Sequence, residues 1–226
     1  MYKILVSILI TIPLMADFFP KTTTTTISKV DEHTITLKKA LPKVGMSCAI
    51  VHNYGNNINA LIHMAKQVSK DGKIKLIDSD IIHHDNIPTI NTKPHVGDKV
   101  IGGYLYSNIL LLAPNEQTYE NITKTYNKKW IHPDLFAMFL SQDGSAEPTK
   151  ETLKAFAKRY QVGLIMIVQK NKIVLYDPLS QEEVASKAFK PQNKQTKYPF
   201  YMHFKEIESG WFSKKDGDYY KTMERF

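Results

Sequence analysis

The tripeptide His132-Pro133-Asp134, within the stretch KKWIHPDLFAMFL, could be a working triad or the place where a helix begins. An apolar run follows it directly, as expected where a helix begins. Pro133 has a fixed φ that suits the first helical turn, and Asp134 places negative charge at the positive end of the helix dipole. The sequence therefore predicts that the tripeptide marks the start of a helix and is not an active site.

The remaining reactive residue types also lack a catalytic arrangement. Cys48, the single cysteine, lies in the alternating run GMSCAIVHNY and is predicted to be a buried structural residue. His52 points to the same face of that strand but stands ~13 Å along it. The eight histidines lack metal-ligand spacing, and the one alternative is a pairing of His52 with His63 across neighbouring strands. We predict no catalytic residues, no cofactor and no metal, and therefore not an enzyme.

Composition indicates a folded, basic protein. The chain has 226 residues, of which 42% are hydrophobic and 11% aromatic, enough for a packed core. Its formal net charge of +8 favours acidic partners, including peripheral contact with an anionic envelope surface. The lysines are scattered, with no tract longer than two, so no nucleic-acid partner is predicted.

Residues 1–16 have the pattern of a signal peptide. Lys3 is followed by an apolar stretch from Ile4 to Met15, and Leu14-Met15-Ala16 resembles a cleavage site. The apolar stretch is shorter than the ~20 residues that span a bilayer, and no later segment approaches that length. The sequence predicts export to the periplasm or the outer cell surface, with no transmembrane segment after cleavage; the alternative is a buried strand or an uncleaved anchor.

The elements that position these residues fall into two parts, which together predict an α+β fold. Residues 17–114 read as a β-rich, barrel-like domain of about seven short strands, with a tight hairpin at Lys70-Asp71-Gly72 and two last strands around Ser107-Asn108. Residues 115–206 read as an α+β domain with helices packed on one side of an antiparallel or mixed sheet. The continuous apolar run from Leu164 to Val168 predicts a strand that is buried on both faces.

Three helices and a final strand are predicted within the second part. Asn115 and Thr149 are suitable N-caps for the first and third helices, and the second begins at Pro133. The segment YPFYMHFKEI, residues 198–207, is predicted to form the last strand. Residues 207–226 form a C-terminal tail rich in aromatic residues and lysines.

Several short segments carry a family resemblance that extends from about Gly45 to Tyr220. They are Val96-Gly97-Asp98, Leu105-Tyr106, Ala113-Pro114-Asn115, His132-Pro133-Asp134-Leu135-Phe136, Gly210-Trp211-Phe212 and Tyr219-Tyr220. This pattern resembles the N-terminal domain of the plasminogen-binding proteins of Helicobacter, Campylobacter and their relatives. The resemblance implies an exported envelope protein that captures host plasminogen, so the predicted partner is a protein: plasminogen or another envelope protein.

The resemblance also indicates where a partner would bind. Plasminogen kringles take a C-terminal lysine or an internal lysine that has an acid at a matching distance. The terminal residue given is Phe226, so internal lysines of the tail are the candidates, with aromatic neighbours: Trp211, Lys214, Lys215, Tyr219, Tyr220 and Lys221. One alternative is that the aromatic residues only pack the tail on the core. Another is a periplasmic structural or scaffolding component of an envelope machine, such as a flagellar motor, with no host ligand.

Overall fold

A computed structural model describes the chain from Phe18 to Phe226 with several gaps. The described residues are 18–32, 34–78, 92–191, 193, 195–207 and 217–226. The predicted signal peptide, residues 1–16, lies outside them. Within these ranges, no helix is long and apolar enough to cross a membrane.

The first part of the chain forms a closed six-stranded barrel, which confirms the barrel-like prediction. Around it the strands follow the order β1-β2-β5-β4-β3-β6, and every neighbouring pair is antiparallel. The hairpin between β4 and β5 has Gly72 at φ +83°, as the Asp-Gly sequence predicts. The six strands are β1 (Thr23–Val30), β2 (Ile35–Leu37), β3 (Ser47–Asn53), β4 (Asn59–Gln67), β5 (Lys73–Asp78) and β6 (Lys99–Gly102).

The second part is a five-stranded mixed sheet with the order β11-β10-β9-β7-β8. Strand β7 is parallel to both of its neighbours, β8 and β9, whereas the β9–β10 and β10–β11 pairs are antiparallel. The strands are β7 (Asn108–Leu112), β8 (Lys129–Ile131), β9 (Leu164–Val168), β10 (Lys172–Asp177) and β11 (Glu182–Ala188). With the barrel and the helices, this sheet confirms the α+β fold.

Among the described residues, four helices accompany the sheet, and three of them begin where the sequence predicts. They are α1 (Glu116–Thr125), α2 (Pro133–Asp143), α3 (Lys150–Tyr160) and α4 (Tyr219–Met223). The side chains of Asn115 and Thr149 accept the N–H groups of Thr118 and Thr152 and so cap α1 and α3. The N-cap of α2 is His132, whose ring accepts the N–H of Asp134, with Pro133 in the first turn.

The mixed sheet is buried on both faces because two apolar cores enclose it. Alternate residues of β9, such as Leu164 and Met166, belong to a core that is continuous with the barrel interior and includes Ile122 of α1. The intervening residues, Ile165 and Ile167, pack in a second core with α2, α3 and α4. The predicted burial of β9 on both faces is therefore confirmed, but α1 lies on the barrel side, so the prediction that all helices share one side was wrong.

Four further details differ from the sequence prediction. Strand β7 pairs with β8 and β9 and not within the barrel. The segment 198–207 contains no strand and crosses the helical face in an irregular conformation. Strands β8 and β11 were not predicted: β8 has only three residues, and β11 has the polar sequence EEVASKA of an edge strand.

One buried carboxylate joins the barrel to the sheet. Asp177, at the end of β10, accepts hydrogen bonds from the N–H of Ser47 in β3 (2.8 Å) and from the hydroxyl of Tyr106 (2.5 Å). Its other oxygen accepts the N–H groups of Leu179 (3.0 Å) and Ser180 (3.1 Å). Burial raises the pKa of Asp177, while these donors act in the opposite direction.

Candidate functional site

The C-terminal residues 217–226 are anchored to the sheet and do not form a free tail. Tyr219 is fully buried, and its hydroxyl lies 2.9 Å from the carbonyl oxygen of Leu112 and 2.8 Å from that of Val168. The amide of Gln169 donates to the carbonyl of Met223 at 2.9 Å. Because Tyr219 faces the core, its side chain positions α4 and is not exposed to a partner.

The outward face of α4 presents a lysine between two acids. Lys221 is exposed, and Asp218 and Glu224, both exposed, lie three residues before and after it. Residues at that spacing are neighbours on a helix surface. The carboxylate of Asp218 also caps α4 by accepting the N–H groups of Tyr220 (2.8 Å) and Lys221 (3.2 Å).

The six predicted partner-binding residues therefore differ in whether the structure exposes them, buries them or does not describe them. Lys221 is exposed and Tyr220 is half-buried against the helical core, so both have surface available to a partner. Tyr219 is buried. Trp211, Lys214 and Lys215 lie outside the described residues, and their role remains a prediction.

A second polar cluster lies where α2 begins, at the predicted helix start. Both oxygens of Asp134 are used by His203: Oδ1 accepts its backbone N–H at 2.8 Å, and Oδ2 lies 2.8 Å from its ring Nδ1. The Nδ1 atom of His132 is 3.4 Å from the same Oδ2. The two imidazole rings are stacked, with centroids 4.8 Å apart and an interplanar angle of 5°.

The environment shifts the pKa of several groups in this cluster. Partial burial alone would raise the pKa of Asp134, but the hydrogen bonds from His203 and the nearby imidazoles lower it below its ordinary value. Burial lowers the pKa of His132, against the raising effect of Asp134. Burial, the hydrogen bond to Glu116 and the charge of that residue raise the pKa of Tyr201 to about 12, so Tyr201 keeps its proton at neutral pH.

A third cluster lies at the edge of the barrel, next to residues that are not described. His52 Nδ1 is 2.7 Å from Asp98 Oδ1, and Asp98 Oδ2 accepts the backbone N–H of His95 at 2.8 Å. The predicted alternative pairing of His52 with His63 is not formed: His63 Nε2 lies 2.9 Å from the carbonyl oxygen of Thr92. The Asp98 carboxylate thus orders the turn that leads into β6.

The sequence prediction missed both histidine clusters. His203 lies 69 residues from Asp134, so its approach depends on how the segment 198–207 crosses the helical face. The only local signals were the spacings His132-x-Asp134 and His95-x-x-Asp98, which are common in helix starts and turns.

A known protein family matches most of this chain. A protein-family model described as "Plasminogen-binding protein pgbA N-terminal" matches residues 22–224, which include the barrel, the sheet and α4. The chain belongs to this family. The resemblance inferred from the short segments is confirmed at the level of the domain, and the matched residues extend beyond both ends of the segment on which that resemblance rested. A search of curated proteins and a search of solved structures found no match.

The family description indicates the kind of partner. A plasminogen-binding family implies a protein ligand, and the exposed lysine of α4 lies within the matched residues. The family match does not point to the histidine clusters.

Proposed function

We propose that the protein is an exported, non-enzymatic envelope protein that binds host plasminogen through lysine side chains. The observation that carries this proposal is the match of the plasminogen-binding family to nearly the whole described chain. The basic composition, with a formal net charge of +8, favours association with acidic surfaces on a partner.

Lys221 is the described residue that best fits a lysine-recognising partner. A kringle that accepts an internal lysine needs an acid at a matching distance from it, and Asp218 and Glu224 lie about one helical turn before and after Lys221. The half-buried Tyr220 adds an aromatic surface beside them. The undescribed residues Lys214 and Lys215 are the other candidates in the same stretch of chain.

The anchoring of α4 favours binding because the segment that carries Lys221 is already ordered and loses less conformational entropy when a partner binds. Tyr219 and Met223 hold the helix on the sheet, so Lys221 is presented from a fixed backbone. A ligand that is already ordered loses less conformational entropy when it binds. Tyr219 therefore contributes to binding because it positions α4, and its own side chain does not contact the partner.

The test is binding of the purified chain to immobilised plasminogen, with and without a soluble lysine analogue. We expect the analogue to displace the chain, and we expect Lys221→Ala to weaken binding at least about 10-fold, equivalent to about 1.4 kcal/mol. The matched control is Lys124→Ala, which removes an exposed helical lysine that pairs with Glu120 at 2.6 Å. That control should bind as the unchanged chain does.

Two results would contradict the proposal. The first is plasminogen binding that is indifferent to the lysine analogue. The second concerns location: if protease added to intact cells leaves the protein uncleaved, a shielded periplasmic scaffolding component becomes the better account. Cleavage by added protease, together with displacement by the analogue, supports surface capture of plasminogen.

A further inference from the structure

Both ring nitrogens of His203 have polar neighbours, Tyr201 at Nε2 and Asp134 at Nδ1. The hydroxyl of Tyr201 lies 3.2 Å from Glu116 Oε1 and 3.2 Å from His203 Nε2. An ionised carboxylate can only accept, so Tyr201 donates its proton to Glu116. A proton on His203 Nε2 would complete this chain through the Tyr201 oxygen and would leave Nδ1 of the same ring able to bind an ion.

Two imidazole nitrogens and one carboxylate oxygen lie close together at the start of α2. Nδ1 of His203 lies 2.8 Å from the carboxylate oxygen Oδ2 of Asp134, so it either donates a proton to that oxygen or, with the proton on Nε2, offers a lone pair to an ion. His132 Nδ1 has a single lone pair, which accepts the backbone N–H of Asp134 at 3.2 Å, so an ion bound at this atom would replace that hydrogen bond. It lies 3.4 Å from the same Oδ2. These three atoms lie close together, and either a proton on His203 or a bound cation offsets the repulsion between their lone pairs.

We propose that His132, Asp134 and His203 form a binding site for a borderline divalent transition-metal ion, of which Zn²⁺ is the representative. All their ligand atoms lie within 4.8 Å of one another. A tetrahedral ion with bonds of about 2.0–2.1 Å holds its ligands about 3.3–3.4 Å apart. The 3.4 Å between Asp134 Oδ2 and His132 Nδ1 matches that spacing. The 2.8 Å between Asp134 Oδ2 and His203 Nδ1 is shorter, so His203 would move away by about 0.5 Å when an ion binds.

The surrounding contacts orient the three ligands in the way that metal sites require. The backbone N–H of His203 holds Asp134 Oδ1 at 2.8 Å and so directs Oδ2 toward the rings. Tyr201 and Glu116 hold the Nε2 side of His203, as outer hydrogen bonds do for histidine ligands. Two imidazoles and one carboxylate favour zinc, nickel or copper over magnesium or calcium, which prefer all-oxygen sites.

The site is accessible from solvent and joins two separate segments of the chain. The side chains of His132 and His203 are 38% and 62% exposed, which leaves room for water as a further ligand. His132 and Asp134 belong to the start of α2, whereas His203 belongs to the irregular segment 198–207. A bound ion would therefore fasten that segment to the helix and stabilise the folded state.

The experiment is a calorimetric titration of the purified chain, without a histidine tag, with Zn²⁺ at neutral pH. We expect one ion per chain at this site and a higher melting temperature at saturation. Both His203→Ala and Asp134→Asn should weaken binding at least about 100-fold, since changes to outer contacts alone cost about 10–100-fold. The matched control is His95→Ala, in the other histidine cluster, which should leave this binding and the melting shift unchanged.

Two outcomes would overturn the proposal. In one, the unchanged chain binds no Zn²⁺ in the titration. In the other, His95→Ala abolishes binding while His203→Ala retains it, which assigns the ion to the barrel edge. Neither result depends on plasminogen, so this test is independent of the proposed function.

Discussion

At the scale of single residues, the thiol of Cys48 is unreactive because β3 buries it completely in the barrel core. Burial, reinforced by the negative charge of Asp177, raises the pKa of Cys48 to about 12. Thiolate is the reactive form, so an aromatic disulfide reagent should fail to modify the folded chain from pH 7 to pH 9. One thiol per chain should react in denaturant. Rapid modification of the folded protein would contradict the burial of Cys48.

His132 illustrates which properties of a single residue can be predicted from the sequence. His132 was correctly assigned to a helix start, because Pro133 and Asp134 supply that information locally. That its own ring would act as the N-cap and stack on His203 depends on residues far away in sequence. Local patterns therefore gave the backbone role of His132, whereas its side-chain partners follow only from the fold.

At the scale of elements, helix α2 is held by aromatic packing around Phe136. This side chain is fully buried, with ring centroids 4.9 Å from Phe156 and 5.5 Å from Phe200. Phe136→Ala should lower the free energy of unfolding by roughly 3–5 kcal/mol, because the neighbouring rings cannot close the cavity.

Urea unfolding followed by circular dichroism measures this change, and the same helix offers a control. Met138 is 50% exposed, so Met138→Ala should alter stability by no more than about 0.5 kcal/mol. Equal effects of the two substitutions would show that Phe136 does not anchor α2. A selective loss at Phe136 would support packing of the irregular segment 198–207 against this helix through Phe200.

Helices and strands were predicted correctly where the deciding residues are neighbours in sequence, and less well where distant residues decide the pairing. The starts of α1, α2 and α3 were predicted because Asn115, Pro133 and Thr149 act within their own first turns. Strand β7 was assigned to the wrong sheet because a buried run such as NILLL fits either a barrel or a parallel strand. The segment 198–207 resembled a strand for the same reason, although its apolar residues pack on helices.

At the scale of the whole molecule, the barrel and the sheet are joined by an apolar core with a polar centre. Residues of both parts form one continuous cluster. Inside it, Asp177 links Ser47 of β3 to Tyr106, which precedes β7, and to the turn after β10. A buried carboxylate with this many donors specifies how the two parts fit together, because each donor would lose its partner in any other arrangement.

Asp177→Asn tests this joint, because an amide has only one acceptor oxygen and must direct its NH₂ group at one pair of donors. We expect the free energy of unfolding to fall by roughly 2–4 kcal/mol, the loss of one to two charge-assisted hydrogen bonds. Tyr106→Phe removes one of these bonds and should cost less. The exposed Asp143→Asn should change the urea midpoint little. If Asp177→Asn were as stable as the unchanged chain, shape complementarity alone would join barrel and sheet.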